Sequence, residues 1–495
     1  MSWTLSKSDY LLFLKHPAWL WLKKHDKDKL PPVSDNLQAV FDAGHSFEKY
    51  VEKLFPGGSY LGFSNYQEYS SLFDRTKKAL QDGATTIFQG GFKSKNLHFI
   101  SDIIVKVDDN TFDLYEIKSA TKAKLINEHD LAFQMIVLES CGYKVRNIKV
   151  LHANNKYIRD GRVDIKQLVS VTDVTSEVKE TCQDSKEHIK NAFKVMEFKD
   201  IPDISPSLCA FDSLKDWIEI YKTLTKVEKG SIYDLCRLNV KLISEFDKRN
   251  ISKIVDITND IKLGKEQRRQ VEANIKQEEF VFKEEIKRFL SKLVYPLYFL
   301  DYETMASVVP EFDGLKPYQQ LPFQYSLHVL GRPGGDLKHV GYLHQEKSNP
   351  VMSLSKSLSE NIGESGTVLV WFEGFEKSRN TEMGKMFSEY KEFYKKVNSR
   401  VIDLMIPFSN GWYVNKDFLG SASIKKVLPV LVPELSYLDL DVHEGGTAQR
   451  VWMETVLEDK HKEERSKIFK NLDEYCKLDT LAMVKIYEKL RKIAS

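Results

Sequence analysis

One stretch of alternating strand and helix patterns most restricts how this chain can fold. Residues 96–107 and 111–118 are rich in apolar side chains, as strands are, and the Asp-Asp-Asn sequence at 108–110 is a turn signal. A helix is predicted over 127–141, where the glycine that follows is a stop signal, and another strand over 148–152. The order strand, strand, helix, strand predicts an α/β core.

The remainder of the chain divides into regions of different pattern. Residues 1–200 carry the α/β pattern and are predicted to be one domain. Residues 201–290 open on a Pro- and Ser-rich segment and continue with charged helices, which predicts a helical connector with solvated helix faces. Residues 291–495 return to alternating strands and helices, and end in a helix with apolar residues three and four apart. The sequence therefore predicts two α/β domains joined by helices.

Charge and cysteine content limit the partners and the compartment. The 73 Lys and Arg residues against 71 Asp and Glu leave a net charge of only +2. Tight binding of a polyanion through bulk charge is thus disfavoured, and nucleic acid would require a local groove or metal ions. The five cysteines form no C-x-x-C pair, no cleavable signal pattern occurs, and no uncharged apolar run reaches ~18 residues. These features predict a cytoplasmic protein without a membrane span.

Asp102, Glu116 and Lys118 form the first candidate site. Strand alternation puts Glu116 and Lys118 on one face, and pairing of the two strands through the turn brings Asp102 toward that face. Two carboxylates suit Mg²⁺, which prefers oxygen ligands and can activate water for attack on a phosphodiester. Lys118 could orient that water or neutralise the transition state. The alternative is an ordinary surface hairpin with alternating charges.

Flanking helices favour the site over the plain hairpin. Asp130 and Gln134 lie one turn apart on the following helix, and Glu48 and Glu52 lie one turn apart in AGHSFEKYVEKLFP. A helix with Glu, a strand with Asp, a strand with E-x-K and a helix with Gln together resemble the PD-(D/E)XK nucleases of the RecB-like type.

This resemblance implies particular roles for the matching residues. Metal binding falls to Asp102, Glu116 and Glu48, with Glu52 as the alternative to Glu48. Lys118 and Gln134 take the catalytic positions.

Asp301 and Glu303 begin a second candidate site, two residues apart at the end of the apolar run PLYFLDYETM. On a strand they share a face, and two acids closing a buried strand are costly unless they are solvated or bind a cation. The alternative is a strand-end pair at the surface. In the terminal helix Tyr475 and Asp479 are one turn apart, and Glu376 follows another apolar strand.

The succession D-x-E, a later acid and Y-x-x-x-D resembles the RNase H-like DEDD exonucleases of the tyrosine subtype. The resemblance implies that Tyr475 orients the attacking water and that four acids bind two Mg²⁺ or Mn²⁺ ions, namely Asp301, Glu303, Glu376 and Asp479. Asp403 is treated as a supporting residue. Polymerase-type relatives usually carry Asp at the position of Glu376 and often Asn at that of Phe372. The longer acid is either a change that alters a metal geometry strict for Mg²⁺ or the normal form in proteins of this kind.

In its details the chain resembles one bacterial family in particular, the domain of unknown function 2779. The first half carries LSKSDYLLFLKHPAWLWL, LFPGG, YEIKSATKAK and DLAFQMIVLESCGY, and the second half carries FLDYET, GSASIKKVLPVLVPELSY and YCKLDT. The resemblance covers nearly the whole chain. It implies a RecB-like PD-(D/E)XK (restriction-endonuclease-like) domain at 1–200 and an RNase H-like DEDD domain at 291–495.

Mg²⁺ or Mn²⁺ is the expected cofactor of both sites. Many RecB-like relatives also hold an iron–sulfur cluster through one early cysteine and three later ones. Here His16 stands at the early position, and Cys182, Cys209 and Cys236 follow at intervals of 27 residues, so we expect no cluster. The glycine-rich GRPGGD lacks the order of a phosphate-binding loop, and no ATP site is expected.

The combined patterns predict a metal-dependent nuclease with two active-site modules, the second resembling 3′→5′ exonucleases. DNA is the favoured substrate, and RNA stays open. One other function is a nucleic-acid-binding protein in which one site, the C-terminal one by preference, has lost catalysis. Another is an effector of defence against phage.

Overall fold

The chain forms two compact units in a computed structural model that describes residues 3–437 and 440–495. The first unit comprises the described residues up to Val227 and Ser307–Tyr318, and the second comprises Glu228–Ala306 and Gln319–Ser495. Both combine helices with sheets of mixed strand direction, which confirms the predicted α/β class. Within the described residues no helix is long and apolar enough to cross a membrane.

The elements of the first unit follow one another with short connections. In chain order they are β1 (Leu5–Ser6), α1 (Lys7–Lys15), α2 (Pro17–His25), α3 (Asp35–Val51), β2 (Ser59–Tyr60), α4 (Tyr66–Gln81), β3 (Thr86–Ser94), β4 (Leu97–Lys106), β5 (Thr111–Lys118), α5 (Leu125–Ser140), β6 (Lys144–Ala153), α6 (Ile165–Leu168), β7 (Val169–Asp173), α7 (Thr175–Glu197) and α8 (Leu214–Thr225).

These strands form one mixed sheet in the order β2-β3-β4-β5-β6-β7, with β1 beside β4. β3, β4 and β5 are antiparallel, β5 and β6 are parallel, and β7 returns antiparallel to β6. The predicted hairpin is confirmed as β4 and β5, and in its turn the Asp108 side chain accepts a hydrogen bond from the Asn110 amide at 3.0 Å. The predicted strand at 148–152 extends back to Lys144, because its first residues pair with the start of β5.

Helix α5 is buried along most of its length between the sheet and helices α1 and α7. Its apolar side chains, such as Leu131, Phe133 and Leu138, supply much of the core. A helix buried on several sides must also bury whatever polar residues it carries. Asp130 and Gln134 are therefore held in the interior, where they need partners.

The second unit contains the remaining elements. In chain order they are α9 (Val240–Lys248), α10 (Lys265–Lys276), β8 (Phe280–Val281), α11 (Lys283–Leu290), β9 (Leu297–Met305), β10 (Leu321–Leu330), β11 (Leu337–Leu343), α12 (Val351–Asn361), β12 (Thr367–Val370), α13 (Glu373–Met386), α14 (Lys391–Ser399), β13 (Val401–Asp403), α15 (Ile406–Ser409), β14 (Tyr413–Val414), α16 (Ile424–Leu431), α17 (Gly445–Trp452) and α18 (Arg465–Ala494).

A five-stranded sheet in the order β11-β10-β9-β12-β13 organises this unit. β9 lies at its centre, antiparallel to β10 and parallel to β12, while β8 and β14 form a separate two-stranded ribbon. β9, β10 and β11 follow one another along the chain and pair as neighbours in this sheet. α18 packs on β9 and β10, where the rings of Phe299 and Tyr487 lie 5.7 Å apart.

His16 has a structural role between α1 and α2. Its Nδ1 accepts a hydrogen bond from the Ala18 amide at 3.2 Å and so caps α2, while its Nε2 lies 3.0 Å from the Ser205 carbonyl oxygen. Its ring stacks on Trp217 at 3.8 Å between centroids. Burial lowers the pKa of His16 from 6.5 to about 4, because the charged imidazolium is poorly solvated there.

We expect the His16→Asn variant to have a flatter dependence of stability on pH than the wild type. Since the unfolded histidine takes up a proton at a higher pH than the folded one, this group destabilises the wild type as pH falls from 6.5 to about 4. The loss is bounded at roughly 3 kcal/mol from ~1.4 kcal/mol per pKa unit. Asn retains a capping oxygen but cannot titrate.

The measurement is urea unfolding of both proteins across that pH range. His461→Asn, at an exposed histidine, controls for the loss of a histidine as such. Parallel pH profiles for the wild type and His16→Asn would contradict the expectation.

Candidate metal centres in the two units

A group of polar side chains meets at the carboxyl end of β5. Glu116 and Lys118 extend from β5, α5 supplies Asp130 and Gln134, and α1 contributes Lys7. We call this group the β5 cluster, and its members are Lys7, Asp102, Glu116, Lys118, Asp130 and Gln134.

Glu116 is the centre of the β5 cluster and is only 1% exposed. Its carboxylate accepts hydrogen bonds from Lys118 Nζ at 2.6 Å, from Lys7 Nζ at 3.0 and 3.2 Å, and from Gln134 Nε2 at 2.7 Å. Burial alone favours the neutral acid, but the charges of Lys118 and Lys7 outweigh it and lower the pKa of Glu116 below its usual range. Glu116 is therefore a stable anion.

Asp130 and Asp102 are less completely neutralised. Asp130 accepts a hydrogen bond from Lys118 Nζ at 3.1 Å, yet burial and the charge of Glu116 raise its pKa. Asp102 Oδ2 accepts a hydrogen bond from the Ile117 amide at 2.7 Å, beside the β4–β5 ladder. Burial and the charge of Glu116 raise the pKa of Asp102 to about 8. An added cation would stabilise the ionised form of both acids.

Glu48 lies nearer to the β5 cluster than Glu52 does. Burial raises the pKa of Glu48, and smaller effects on it come from charges that include Glu116 and Lys7. For Glu52, burial also raises the pKa, and the next contribution is the charge of Glu48 itself. The structure thus brings Glu48 toward the other predicted residues, and its role as a metal ligand stays a prediction.

Gln134 leaves one acceptor open inside the β5 cluster. The side chain is fully buried, and its Nε2 donates to Glu116 and Asp130 at 2.7 and 2.9 Å. Its Oε1 has no hydrogen-bond partner among the described residues, although buried polar atoms are nearly always paired. This oxygen and the carboxylates around it fit a hard cation or the water bound to one.

A second group of acids meets on β9. Asp301 and Glu303 lie on the side of β9 covered by α18, which carries Tyr475 and Asp479 one turn apart. Glu376 enters from the first turn of α13. We call this group the β9 cluster, and its members are Asp301, Glu303, Glu376, Tyr475 and Asp479. The structure brings together all the residues that were predicted for the C-terminal site.

Negative charge in the β9 cluster is poorly compensated. Burial, together with the neighbouring acids, raises the pKa of Glu303 and Glu376 well above the usual range. Burial also raises the pKa of Asp479 to about 6, although a hydrogen bond from Tyr437 and the charge of Lys425 act in the opposite direction. The acids therefore resist simultaneous ionisation unless a further cation joins them.

The side chain of Glu376 supports a cation site in this cluster. It is 2% exposed, and its Oε2 has no hydrogen-bond partner within the described part of the chain. A buried carboxylate oxygen without a partner is costly. A divalent ion bound by Glu376, Asp301 and Asp479 would offset that cost, and the oxygen donors suit Mg²⁺ or Mn²⁺.

Two residues that sequence reasoning missed position the β9 cluster. Tyr437 donates a hydrogen bond to Asp479 Oδ1 at 2.6 Å. Lys425 on α16 donates to the Tyr475 hydroxyl at 3.1 Å and to the His443 carbonyl oxygen at 2.7 Å. Lys425 lies within the quoted motif GSASIKKVLPVLVPELSY, but its spacing carries no sign of this role.

Lys7 was also missed in the β5 cluster. It lies 109 residues before Glu116, and α1 gives no local pattern that would connect the two. Asp130 was noted only as a neighbour of Gln134, one helical turn away.

Asp403 caps a helix. Its carboxylate accepts hydrogen bonds from the amides of Phe372, Glu373 and Met405 at 3.0, 3.1 and 2.9 Å. The first two contacts fix the N-terminus of α13, which carries Glu376. They also stabilise the left-handed backbone of Phe372, whose φ of 84° is rare for a residue other than glycine. The supporting contact of Asp403 is therefore with the backbone.

Comparison with known proteins gives relatives without an assigned activity. Residues 298–423 match the family model described as "Domain of unknown function (DUF2779)". This match includes Asp301, Glu303 and Glu376, and it covers less of the chain than the sequence resemblance implied.

Two mycoplasma proteins are also similar. "Uncharacterized protein MG366" of Mycoplasma genitalium is 26% identical over 224 residues, which are 42% of this chain and 34% of that protein. "Uncharacterized protein MG366 homolog" of Mycoplasma pneumoniae is 26% identical over 223 residues, which are 41% of this chain and 33% of that protein. The chain therefore matches about a third of the length of these relatives.

We expect Lys7→Met to destabilise the protein at neutral pH by about 1–3 kcal/mol, because it removes a cation from buried carboxylates. The difference in unfolding free energy between the wild type and the variant should become smaller as pH falls, since the carboxylates of the variant take up protons more readily. Urea unfolding at several pH values measures it. Lys29→Met, which breaks a surface pair with Asp26, is the control and should cost under ~0.5 kcal/mol. Equal effects of the two variants would contradict the charge balance derived for the β5 cluster.

We expect Glu376→Gln to stabilise the metal-free protein. The raised pKa of Glu376 means that the folded state loses stability as pH rises above the usual value of 4.5, and Gln lacks that penalty. The gain should be about 1–3 kcal/mol near pH 8 and should vanish near pH 4.5. Thermal unfolding in a chelator measures it. Glu373→Gln, on the same helix but partly exposed, is the control. A pH-independent gain would contradict this account.

Proposed function

We propose that the protein is a metal-dependent nuclease with two active-site modules. The observation that carries the proposal is the convergence of four acids, three of them buried, and a tyrosine in the β9 cluster, where one Glu376 oxygen has no partner among the described residues. Burying such acids together is costly for folding, so a bound cation is the simplest reason for the arrangement. Carboxylate pairs that hold divalent ions are well suited to phosphodiester hydrolysis.

The second unit is proposed to be an RNase H-like module of the DEDD type. In support, β9 is the central strand of a mixed sheet, its acids face α18, and α18 supplies the Y-x-x-x-D pair. Asp301, Glu303, Glu376 and Asp479 would hold the ions. Bound there, divalent ions would stabilise the attacking and leaving oxygens of the phosphodiester.

Tyr475 is proposed to orient the attacking water. Burial and then the charge of Asp479 raise the pKa of Tyr475 well above its usual range, so the phenol keeps its proton. Lys425 donates to the phenol oxygen and thereby leaves the hydroxyl proton free to point at an acceptor. Tyr437 holds the carboxylate of Asp479 in place.

The first unit is proposed to be a PD-(D/E)XK module. Asp102, Glu116 and Glu48 would bind metal, and Gln134 Oε1 would contact the ion or its water. Lys118, which reaches both Glu116 and Asp130, would orient the nucleophile or neutralise the transition state.

A second candidate function is favoured by one observation. Lys7 and Lys118 already compensate Glu116, so the β5 cluster could be an internal ion-pair network that helps to bind nucleic acid without cleaving it. In that case the module that lacks catalysis would be the N-terminal one, not the C-terminal one favoured by sequence.

Single variants of each module test the proposal. We expect Lys118→Ala to reduce the cleavage rate of the first unit and Asp301→Ala that of the second, each by about 10²-fold or more. The assay uses labelled single-stranded DNA, duplex DNA and RNA with Mg²⁺ or Mn²⁺, and DNA is the expected substrate. Lys122→Ala and Glu474→Ala, at exposed positions close in sequence to Lys118 and Tyr475, are the matched controls.

The outcomes separate the candidate functions. Loss of all cleavage in Asp301→Ala alone, with Lys118→Ala unaffected, would favour the ion-pair function of the β5 cluster. Full Mg²⁺-dependent cleavage by both single variants and by the double variant would refute the nuclease proposal.

A further inference from the structure

We infer that the thiol of Cys476 is a metal ligand in the β9 cluster and that this position selects a transition-metal ion over Mg²⁺. Cys476 was not among the residues predicted for the site. This inference deepens the proposed function by naming the class of ion that the cluster takes.

Geometry gives the first support. Ligand atoms of Asp301, Glu303 and Cys476 all lie within 4.8 Å of one another. Metal–ligand bonds of about 2.0–2.3 Å in tetrahedral geometry place neighbouring ligand atoms roughly 3.3–3.8 Å apart, so side-chain shifts of about 1 Å or less would bring all three onto one ion. The thiol and two carboxylates thus form a three-ligand set, which in catalytic metal sites leaves a position for water or substrate.

The surroundings of the thiol give the second support. Cys476 is 1% exposed, and its sulfur lies beside the carboxylates of Asp301 and Glu303. Independently, the buried Glu376 interacts with the same two acids, and its Oε2 has no partner in the described structure. The thiol and Glu376 are thus each buried beside Asp301 and Glu303, the two acids that a cation would join.

Ligand chemistry decides the kind of ion. Mg²⁺ is a hard ion that requires oxygen ligands in near-octahedral geometry, and a thiolate is a poor ligand for it. Thiolates favour softer divalent ions such as Zn²⁺, Fe²⁺ or Co²⁺. On binding, the S–H bond breaks, a sulfur–metal bond forms, and the proton passes to the solvent. The mixed oxygen and sulfur donors therefore favour a transition metal at this position.

Cobalt titration of the full chain tests the inference without nucleic acid. We expect Co²⁺ to give a near-ultraviolet thiolate-to-cobalt band in the wild type, and at least ~10-fold weaker binding of Mg²⁺ at the same position. Cys476→Ser should lose the band. Its affinities for Co²⁺ and Mg²⁺ should differ less than those of the wild type. Cys182→Ser, at another buried cysteine, is the matched control and should keep the band.

The result that overturns the inference is bound Co²⁺ without a thiolate band in the wild type, or the same band in Cys476→Ser. If Cys476→Ser does not fold, the test uses the wild type alone. Its cobalt–thiolate band is measured, and the rise in its unfolding temperature is compared between Co²⁺ and Mg²⁺ at equal concentration. Absence of any wild-type binding of Co²⁺ also overturns it.

The two proposals fail separately. A thiolate band without cleavage of any nucleic acid would support the assignment of Cys476 as a ligand and refute the nuclease proposal. Mg²⁺-dependent cleavage that is unchanged in Cys476→Ser, together with no cobalt–thiolate band in the wild type, would support the nuclease proposal and refute the ligand role of Cys476.

Discussion

Uncompensated negative charge in the second unit is the constraint on which its architecture depends. β9 lies at the centre of the sheet, its register with β10 places Ser326 opposite Asp301 and Gln324 opposite Glu303, and α18 packs on both strands. Acids in that position are desolvated, which costs free energy in the absence of a cation. The hydrogen bond from Tyr437, the capping of α13 by Asp403 and the ammonium group of Lys425 all act on this one problem.

The two units differ in how the negative charge of their carboxylates is compensated. In the β5 cluster, Lys7 and Lys118 are built in and keep Glu116 ionised. In the β9 cluster the nearby ammonium group of Lys425 is shared among several acids, and a cation from solution would complete the charge balance. Under the proposed function, a chain whose net charge is only +2 would meet a polyanion through local fields at bound metal ions in place of a basic surface.

Local periodicity explains how much of each site was predictable. Residues two apart on a strand or four apart on a helix share a face whatever the rest of the chain does, which is why Asp301 with Glu303 and Tyr475 with Asp479 could be paired from sequence. Lys7 could not, because its distance from Glu116 is set by how α1 packs on α5. The same holds for Lys425, whose α16 approaches α18 only in the folded unit.

The sequence by itself determined the α/β class, the β4–β5 hairpin, helix α5 and the pairs of site residues, since these follow from short-range pattern and turn chemistry. Only the tertiary structure decided which cations face which acids, that Glu48 lies nearer the β5 cluster than Glu52, and that Cys476 lies beside Asp301 and Glu303. The reason is physical: desolvation and charge pairing depend on distances between segments far apart in the chain, and one-dimensional spacing does not contain those distances.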